Sequence, residues 1–307
     1  MEFREDVSLG MKDPISPPLM NGGGCCKTVE HVRELSRSLA GGIVIGSFTM
    51  SNRLINPGNV WRLINGDGLN SLGMPNPGSP YLEANLPEMV TIAHEAETPK
   101  QLIVNVAEFS KEGYAKLTRL ALSKGADAVE LNLGCPNVIT EDDTRKPIAS
   151  FNLEVMEGII IAVEEAVGVD APIWVKVSPY SDPELLKGAA AVILRHPVVK
   201  AVTAINTFPS AYGLTDTGKP LIGVGLAGLS GKALKHIGLG QVKQWSNALQ
   251  GKVNIIGVGG ISSGRDIRDY GLVGASAFQM TTELLKGDDL DPRPFEKVAA
   301  EYLNEEI

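Results

Sequence analysis

The sequence has no run of basic residues, no membrane-length apolar stretch and almost no cysteine, and each shortage removes a class of function. Its 307 residues carry 28 Lys and Arg against 36 Asp and Glu, a formal charge of −8, with a pI near 5.2. No basic surface is there to attract polyphosphate, so neither nucleic acid nor an anionic membrane is an expected partner. The longest apolar runs, "GGIVIG" and "GAAAVIL", fall well short of the roughly 20 residues of a membrane span. The N-terminus, "MEFREDVSLGMKD", is charged where a signal peptide would be apolar. Cysteine is limited to Cys25, Cys26 and Cys135; an odd count with two adjacent members argues against a disulfide framework and for a reducing compartment. The four histidines, His31, His94, His196 and His236, show no ligand spacing with one another or with the cysteines, so no metal is expected. These exclusions leave a soluble protein of the cytoplasm.

Glycine is plentiful, at 34 residues, and much of it follows short β-branched apolar runs, the pattern of strands that end in functional loops. Strands are expected at 18–22, 42–47, 101–107, 128–134, 172–178, 201–207, 253–260 and 276–282. Stretches with helical spacing lie between them, such as "TVEHVRELSRSLA", "SKEGYAKLTRLALSKG" and "NLEVMEGIIIAVEEAVG". Strand then helix, repeated about eight times in some 300 residues, is the sequence form of a (β/α)₈ TIM barrel, with a doubly wound open sheet as its rival. No composition break marks a second domain, so residues 1–307 are expected to form one. The long gap at 52–100, rich in Asn, Gly and Pro, follows the second strand and is expected to be an extended loop, a lid or substrate floor over the mouth of the barrel.

In a barrel, chemistry sits at the C-terminal ends of the strands. Asn21, Asn105, Asn132, Lys176, Asn206, Gln279 and Thr281 fall there, and Cys135 and Asn137 open the loop after the fourth strand. Each alone has a bland explanation, since Asn caps turns and Lys snorkels; together they suit a planar heterocycle, because Asn offers a donor and an acceptor at once. Lys176 is expected as the lone fixed positive charge, able to stabilise negative charge on such a ring. The stretches "GVGLAGLSG" (223–231) and "GVGG" (257–260) expose backbone N–H groups suited to a phosphate. "GVGLAG" matches the dinucleotide pattern formally but comes too late in the chain to be one. For Cys135, a Gly-Cys-Pro turn fits either a small packed thiol or a reactive one; for Cys25 and Cys26 packing is the simpler reading.

Taken together, "LMNGGG", "LNSLGMPNPG", "ELNLGCPNV", "VKVSPY", "INT", "GLAGLSGKALK" and "IIGVGGISSGRD" resemble the class 1 dihydroorotate dehydrogenases, above all the homodimeric fumarate-using subgroup. The resemblance implies a barrel that binds FMN and oxidises dihydroorotate to orotate, with Cys135 as the base that takes the C5 proton while hydride leaves C6 for flavin N5. It implies substrate contacts at Asn70, Leu72, Gly73, Met74, Asn132, Asn137, Asn206 and Thr207. It assigns the cofactor to Gly22, Gly23, Ser47, Asn105, Asn132, Lys176, Ile205, Gly228, Gly259, Gly260, Met280 and Thr281. Fumarate as electron acceptor and a homodimer follow from the same likeness. The chain departs from the pattern where a Thr-Lys-Ser run is usual and Ile45-Gly46-Ser47 stands instead. Loss of that charge-assisted contact is worth ~1.5–3 kcal/mol. Two rival readings are the same chemistry on another dihydropyrimidine or an unsaturated carboxylate, and a non-catalytic barrel that binds a phosphorylated ligand.

Overall fold

A computed structural model describes residues 7–136, 147–286 and 289–304. In chain order it begins with β1 (Leu19–Asn21), α1 (Val29–Ser36) and β2 (Gly42–Phe48). A hairpin of β3 (Trp61–Ile64) and β4 (Asp67–Asn70) comes next, then α2 (Gly78–His94), β5 (Gln101–Val106), α3 (Lys111–Ser123) and β6 (Ala128–Asn132). The second half holds α4 (Leu153–Val167), β7 (Ile173–Val177), α5 (Pro183–Arg195), β8 (Val199–Ala204), β9 (Phe208–Ala211) and β10 (Ala227–Gly231). It ends with α6 (Lys235–Leu249), β11 (Asn254–Val258), α7 (Gly264–Val273), β12 (Ala277–Met280) and α8 (Arg293–Asn304). Eight strands close into a parallel barrel in the order β1-β12-β11-β8-β7-β6-β5-β2, and these are the eight expected from the sequence. The open-sheet alternative is thereby removed.

Helix starts follow the caps written in the sequence. Thr28, Ser110, Asn152, Asp182 and Ser263 each accept a backbone N–H of the first turn that follows them, which satisfies donors that the helix itself leaves open. The stretch 52–100 is not one long connection, because its second half is the crossover helix α2. Pro87 in a helix interior costs ~3 kcal/mol. Leu82, Leu86 and Met89 are fully buried along one face of that helix, at about 1.5–3 kcal/mol each, and their sum outweighs the proline. The first half supplies β3 and β4, which join β10 and β9 in a small sheet ordered β3-β4-β10-β9.

Strand periodicity builds the interior of the barrel in layers, since residues two apart share a face. The lower layer is apolar: Met20, Val44, Ile103, Ala128, Trp174, Ala201, Ile256 and Ala277 form one buried cluster with Val7, Leu9, Met11 and Ile15. The segment 7–15, tied by a bridge between Val7 and Ile15, therefore plugs the end of the barrel where the strands begin. Trp174 donates its indole N–H to the Leu9 carbonyl at 3.0 Å. Two residues further along the strands the layer turns polar, with Asn105, Glu130, Lys176, Thr203 and Gln279 all buried. Outside the barrel, alternate strand residues such as Ile45, Val104, Leu131 and Val175 pack against the helices in a second, larger core.

Candidate active site

The polar layer centres on Glu130, which is fully buried. Its carboxylate accepts from Asn105 Nδ2 at 2.6 Å, Thr203 Oγ1 at 2.7 Å and Gln279 Nε2 at 2.8 Å. Lys176 Nζ lies 4.0 Å from Glu130 Oε1 and donates to Gln279 Oε1 at 3.0 Å. A buried carboxylate is tolerated when it is both hydrogen-bonded and faced by a cation, and here four strands supply those partners. The layer forms the base of a cavity of about 460 Å³ at the C-terminal ends of the strands, a size usual for small-molecule sites.

From β1 and β2 the expected residues Gly23 and Ser47 reach the wall of this cavity, and from the stretch after β4 come Leu72, Gly73 and Met74, with Asn70 at the end of β4 itself. The C-terminal parts of β6 and β7 and the loops after β6 and β8 bring Asn132, Lys176, Cys135, Ile205, Asn206 and Thr207 to the same wall. The end of β12 and the loops after β11 and β12 bring Met280, Gly259, Gly260 and Thr281. Three expected residues lie off the wall. Gly22 donates its N–H to the Met280 carbonyl at 2.8 Å, Asn105 sits one layer down under Gly23, and Gly228 is paired with Asn70 in the small sheet, its carbonyl accepting from Asn70 Nδ2 at 3.2 Å. Asn137 lies outside the described residues. The stretch 223–231, expected to offer backbone N–H groups to a phosphate, is partly strand β10, and only Ser230 and Gly231 of it face the cavity.

Side chains at the mouth are oriented by one another. Asn206 Nδ2 donates to Asn132 Oδ1 at 3.0 Å, Asn132 Nδ2 donates to Ser47 Oγ at 2.9 Å, and Asn206 Oδ1 accepts the Thr207 N–H at 2.8 Å. Tyr114 fixes the base of this chain by donating its hydroxyl to the Asn132 carbonyl at 2.9 Å; burial pushes its phenol well above the ordinary tyrosine value, so it stays a donor. The turn that carries Cys135 is anchored from β7, where Ser178 Oγ donates to the Gly134 carbonyl at 2.8 Å. β6 and β12 stand four places apart in a ring of eight, so the loops that carry Cys135 and Thr281 face each other across the mouth.

Several wall residues carried no signal in the sequence. Lys27 and Lys232 line the cavity together with Lys176, so Lys176 is not the lone positive charge there. His31, Trp61 and Pro75 are also on the wall. Asn76, buried and just behind it, accepts from the Thr49 and Gly78 N–H groups at 3.1 and 2.9 Å and donates to the Met74 carbonyl at 2.9 Å. It thereby ties the end of β2 to the segment holding Leu72, Gly73 and Met74. Burial raises both the Cys25 and the Cys26 thiols above their ordinary value; Cys26 is packed in the core as expected, whereas Cys25 lies on the cavity wall.

The donors and acceptors around the cavity match a flat heterocycle with a phosphate tail. Buried Asn105 Oδ1 has no hydrogen-bond partner among the described residues. A Cβ at Gly23 would come within 2.8 Å of Asn105 Nδ2, whereas one at Gly24 would meet nothing within 4 Å, so these glycines leave a floor that a ring can lie against. Gly259 and Gly260 both have positive φ, 128° and 68°, and so offer successive backbone N–H groups without side chains, an arrangement that binds anions. Amide, lysine and main-chain donors around one cavity suit a flat ring and a phosphate.

A family model described as dihydroorotate dehydrogenase matches residues 11–303. The dihydroorotate dehydrogenase (fumarate) of Kluyveromyces lactis is 30% identical over 293 residues, covering 93% of this chain and 88% of that protein. The dihydroorotate dehydrogenase B (NAD(+)) catalytic subunit of Methanopyrus kandleri is 35% identical over 254 residues, covering 81% of this chain and 76% of that protein. Among solved structures, that of DHODH in complex with ferulenol from Eimeria tenella superposes with a TM-score of 0.79 at 19% identity, covering 99% of this chain and 86% of that one. At that identity it speaks for the fold. No helix among the described residues is long and apolar enough to cross a membrane.

Proposed function

The chain belongs to the dihydroorotate dehydrogenase family, and from that premise we propose that it is an FMN-dependent oxidoreductase that removes the two hydrogens of the C5–C6 bond of dihydroorotate. The reading is carried by one observation: Cys135, Lys176 and the Asn132–Asn206 pair share a wall of the same cavity as the glycine N–H groups of 259–260. FMN, when bound, supplies the acceptor for the hydride of C6. Cys135 takes the proton of C5, an acid too weak to lose it without a positioned base. Asn132 and Asn206 present the amide edges that hold the pyrimidine ring in place, and Lys176 would hold the flavin ring, its charge balanced below by Glu130.

The remaining features of this reading come from the resemblance. Fumarate is the proposed acceptor, taking up the two electrons and two protons to give succinate, with a homodimer in the cytoplasm as the working form and the whole chain as one FMN-binding domain. Relatives of the fumarate type and of the NAD(+) type both match the chain, at 30% and 35% identity, so the choice of fumarate rests on the resemblance alone.

Anaerobic mixing of the purified flavoprotein with dihydroorotate tests the reading. The yellow flavin absorbance should bleach, and Cys135→Ala should slow the bleaching by about 10²- to 10⁴-fold, the usual worth of a general base. A protein that neither carries nor takes up FMN, or whose flavin is untouched by dihydroorotate, would overturn it.

A further inference from the structure

Among the lysines of the cavity, Lys27 is the partly buried one with no carboxylate partner among the described residues. Lys176 faces Glu130, and Lys232 is exposed. Lys27 is half-buried, and its ammonium donates to the Pro75 carbonyl at 2.7 Å. An ammonium has three donors; that bond uses one, and no carboxylate among the described residues lies within ion-pair distance. A cation held partly out of water without a partner is unfavourable until an anion joins it. Burial accordingly lowers the Lys27 pKa below the ordinary lysine value, against the opposing pull of Cys25, Cys135 and Cys26. Lys27 and Cys135 line the same cavity.

The position is fixed from both sides. The Lys27 N–H donates to His31 Nδ1 at 3.2 Å, and Thr28 caps α1 immediately after it. Its ammonium is pinned to the residue that follows Met74, itself on the wall. The neighbouring strand β2 cannot supply a cation here. Gly46 has φ +111°, and a Cβ on it would strike the Asn105 carbonyl oxygen. The two segments lie against each other, since Gly46 donates its N–H to the Cys26 carbonyl at 2.8 Å and Gly24 donates to the Gly46 carbonyl at 2.7 Å. Lys27 therefore springs from the chain one residue beyond the contact with Gly46.

We propose that Lys27 is a substrate-binding residue that receives the carboxylate of an anionic dihydropyrimidine beside Cys135, so that specificity for an acid is set from the loop after β1 and not from the end of β2. This rests on the function proposed above in requiring a ring substrate that bears a carboxylate.

The test is equilibrium titration of the holoenzyme, read by the flavin absorbance, with orotate and with its uncharged 6-carboxamide. Lys27→Met should weaken orotate roughly 10- to 100-fold, the worth of one charge-assisted contact, and shift the carboxamide by no more than about threefold, while Lys27→Arg keeps most of the orotate affinity. Equal weakening of both probes would make Lys27 a structural residue and overturn the proposal, as would unchanged orotate binding. Should Lys27→Met fail to hold flavin, the wild-type protein decides: orotate affinity should fall on going alkaline, as the ammonium is lost, more steeply than carboxamide affinity, and parallel curves would refute the role. If the wild-type flavin is bleached by dihydroorotate while orotate binding ignores Lys27, only the present proposal fails. If it binds neither probe and is not bleached, both readings fall together.

Discussion

Replacing Lys176 by Met, Glu130 by Gln, and both at once provides a cycle whose outcome follows from the buried layer. The two charges are 4.0 Å apart, where Coulomb attraction is about 4 kcal/mol at an effective dielectric near 20. Removing one member of a buried pair costs about 3–5 kcal/mol, because the other is left uncompensated. Glu130 would still accept from Asn105, Thr203 and Gln279, so Lys176→Met belongs at the lower end, about 3 kcal/mol. Glu130→Gln strands the ammonium of Lys176 with Gln279 alone and should cost about the same. The double variant leaves no buried charge, so it should lose about 3 kcal/mol where simple addition gives about 6, a coupling energy of about 3 kcal/mol. Urea unfolding of the four flavin-free proteins measures this through fluorescence, with Trp174 and Trp245 fully buried as reporters. Losses that add to within about 0.5 kcal/mol would mean that the sites are independent, and the account of Lys176 as the counter-charge of Glu130 would be wrong.

Gly46→Ala should cost about 1–3 kcal/mol from its backbone conformation alone, with more from the contact against the Asn105 carbonyl; Gly46→Lys should be no better, and a thermally intact Gly46→Lys protein would contradict this. Asn76→Ala releases the Thr49 and Gly78 N–H groups and the Met74 carbonyl; steady-state kinetics should show a KM raised more than kcat is lowered, and a fall in kcat alone would count against a positioning role. Near α7, burial pushes the Asp266 carboxyl up, but hydrogen bonds from Lys235, Ser262 and Ser263 outweigh it and hold the group below its usual value. A depressed folded pKa contributes stability that is present above the unfolded value, near 3.9, and lost as pH falls through the folded value. Asp266→Asn should therefore flatten the acid limb of a stability–pH curve, and an unchanged limb would reject the assignment.

The barrel was legible because its strands are apolar runs punctuated by glycine, and all eight appear where the pattern puts them. α2 was hidden by Pro80 and Pro87, although Leu82, Leu86, Met89 and Ala93 keep helical spacing; burial on tertiary packing overrode the local breaker. The stretch 223–231 was read as glycine N–H groups for a phosphate; part of it is β10, whose glycines permit close pairing with β4 and β9, because a strand rich in glycine lacks the β-branched apolar signal. In the site, the asparagines and Cys135 stood out by their place at strand ends. Glu130 was readable in principle, as a carboxylate at an inward position between Ala128 and Asn132. Lys27 was not, since a lysine in a short loop looks solvated until the distant Pro75 is brought beside it.

The plug formed by residues 7–15 has a kinetic corollary. Leu9 and Trp174 close the lower end, and the candidate cavity lies at the opposite, C-terminal ends of the strands. On the function proposed above, reductant and oxidant would use that chamber in turn, and double-reciprocal plots at successive acceptor concentrations should run parallel.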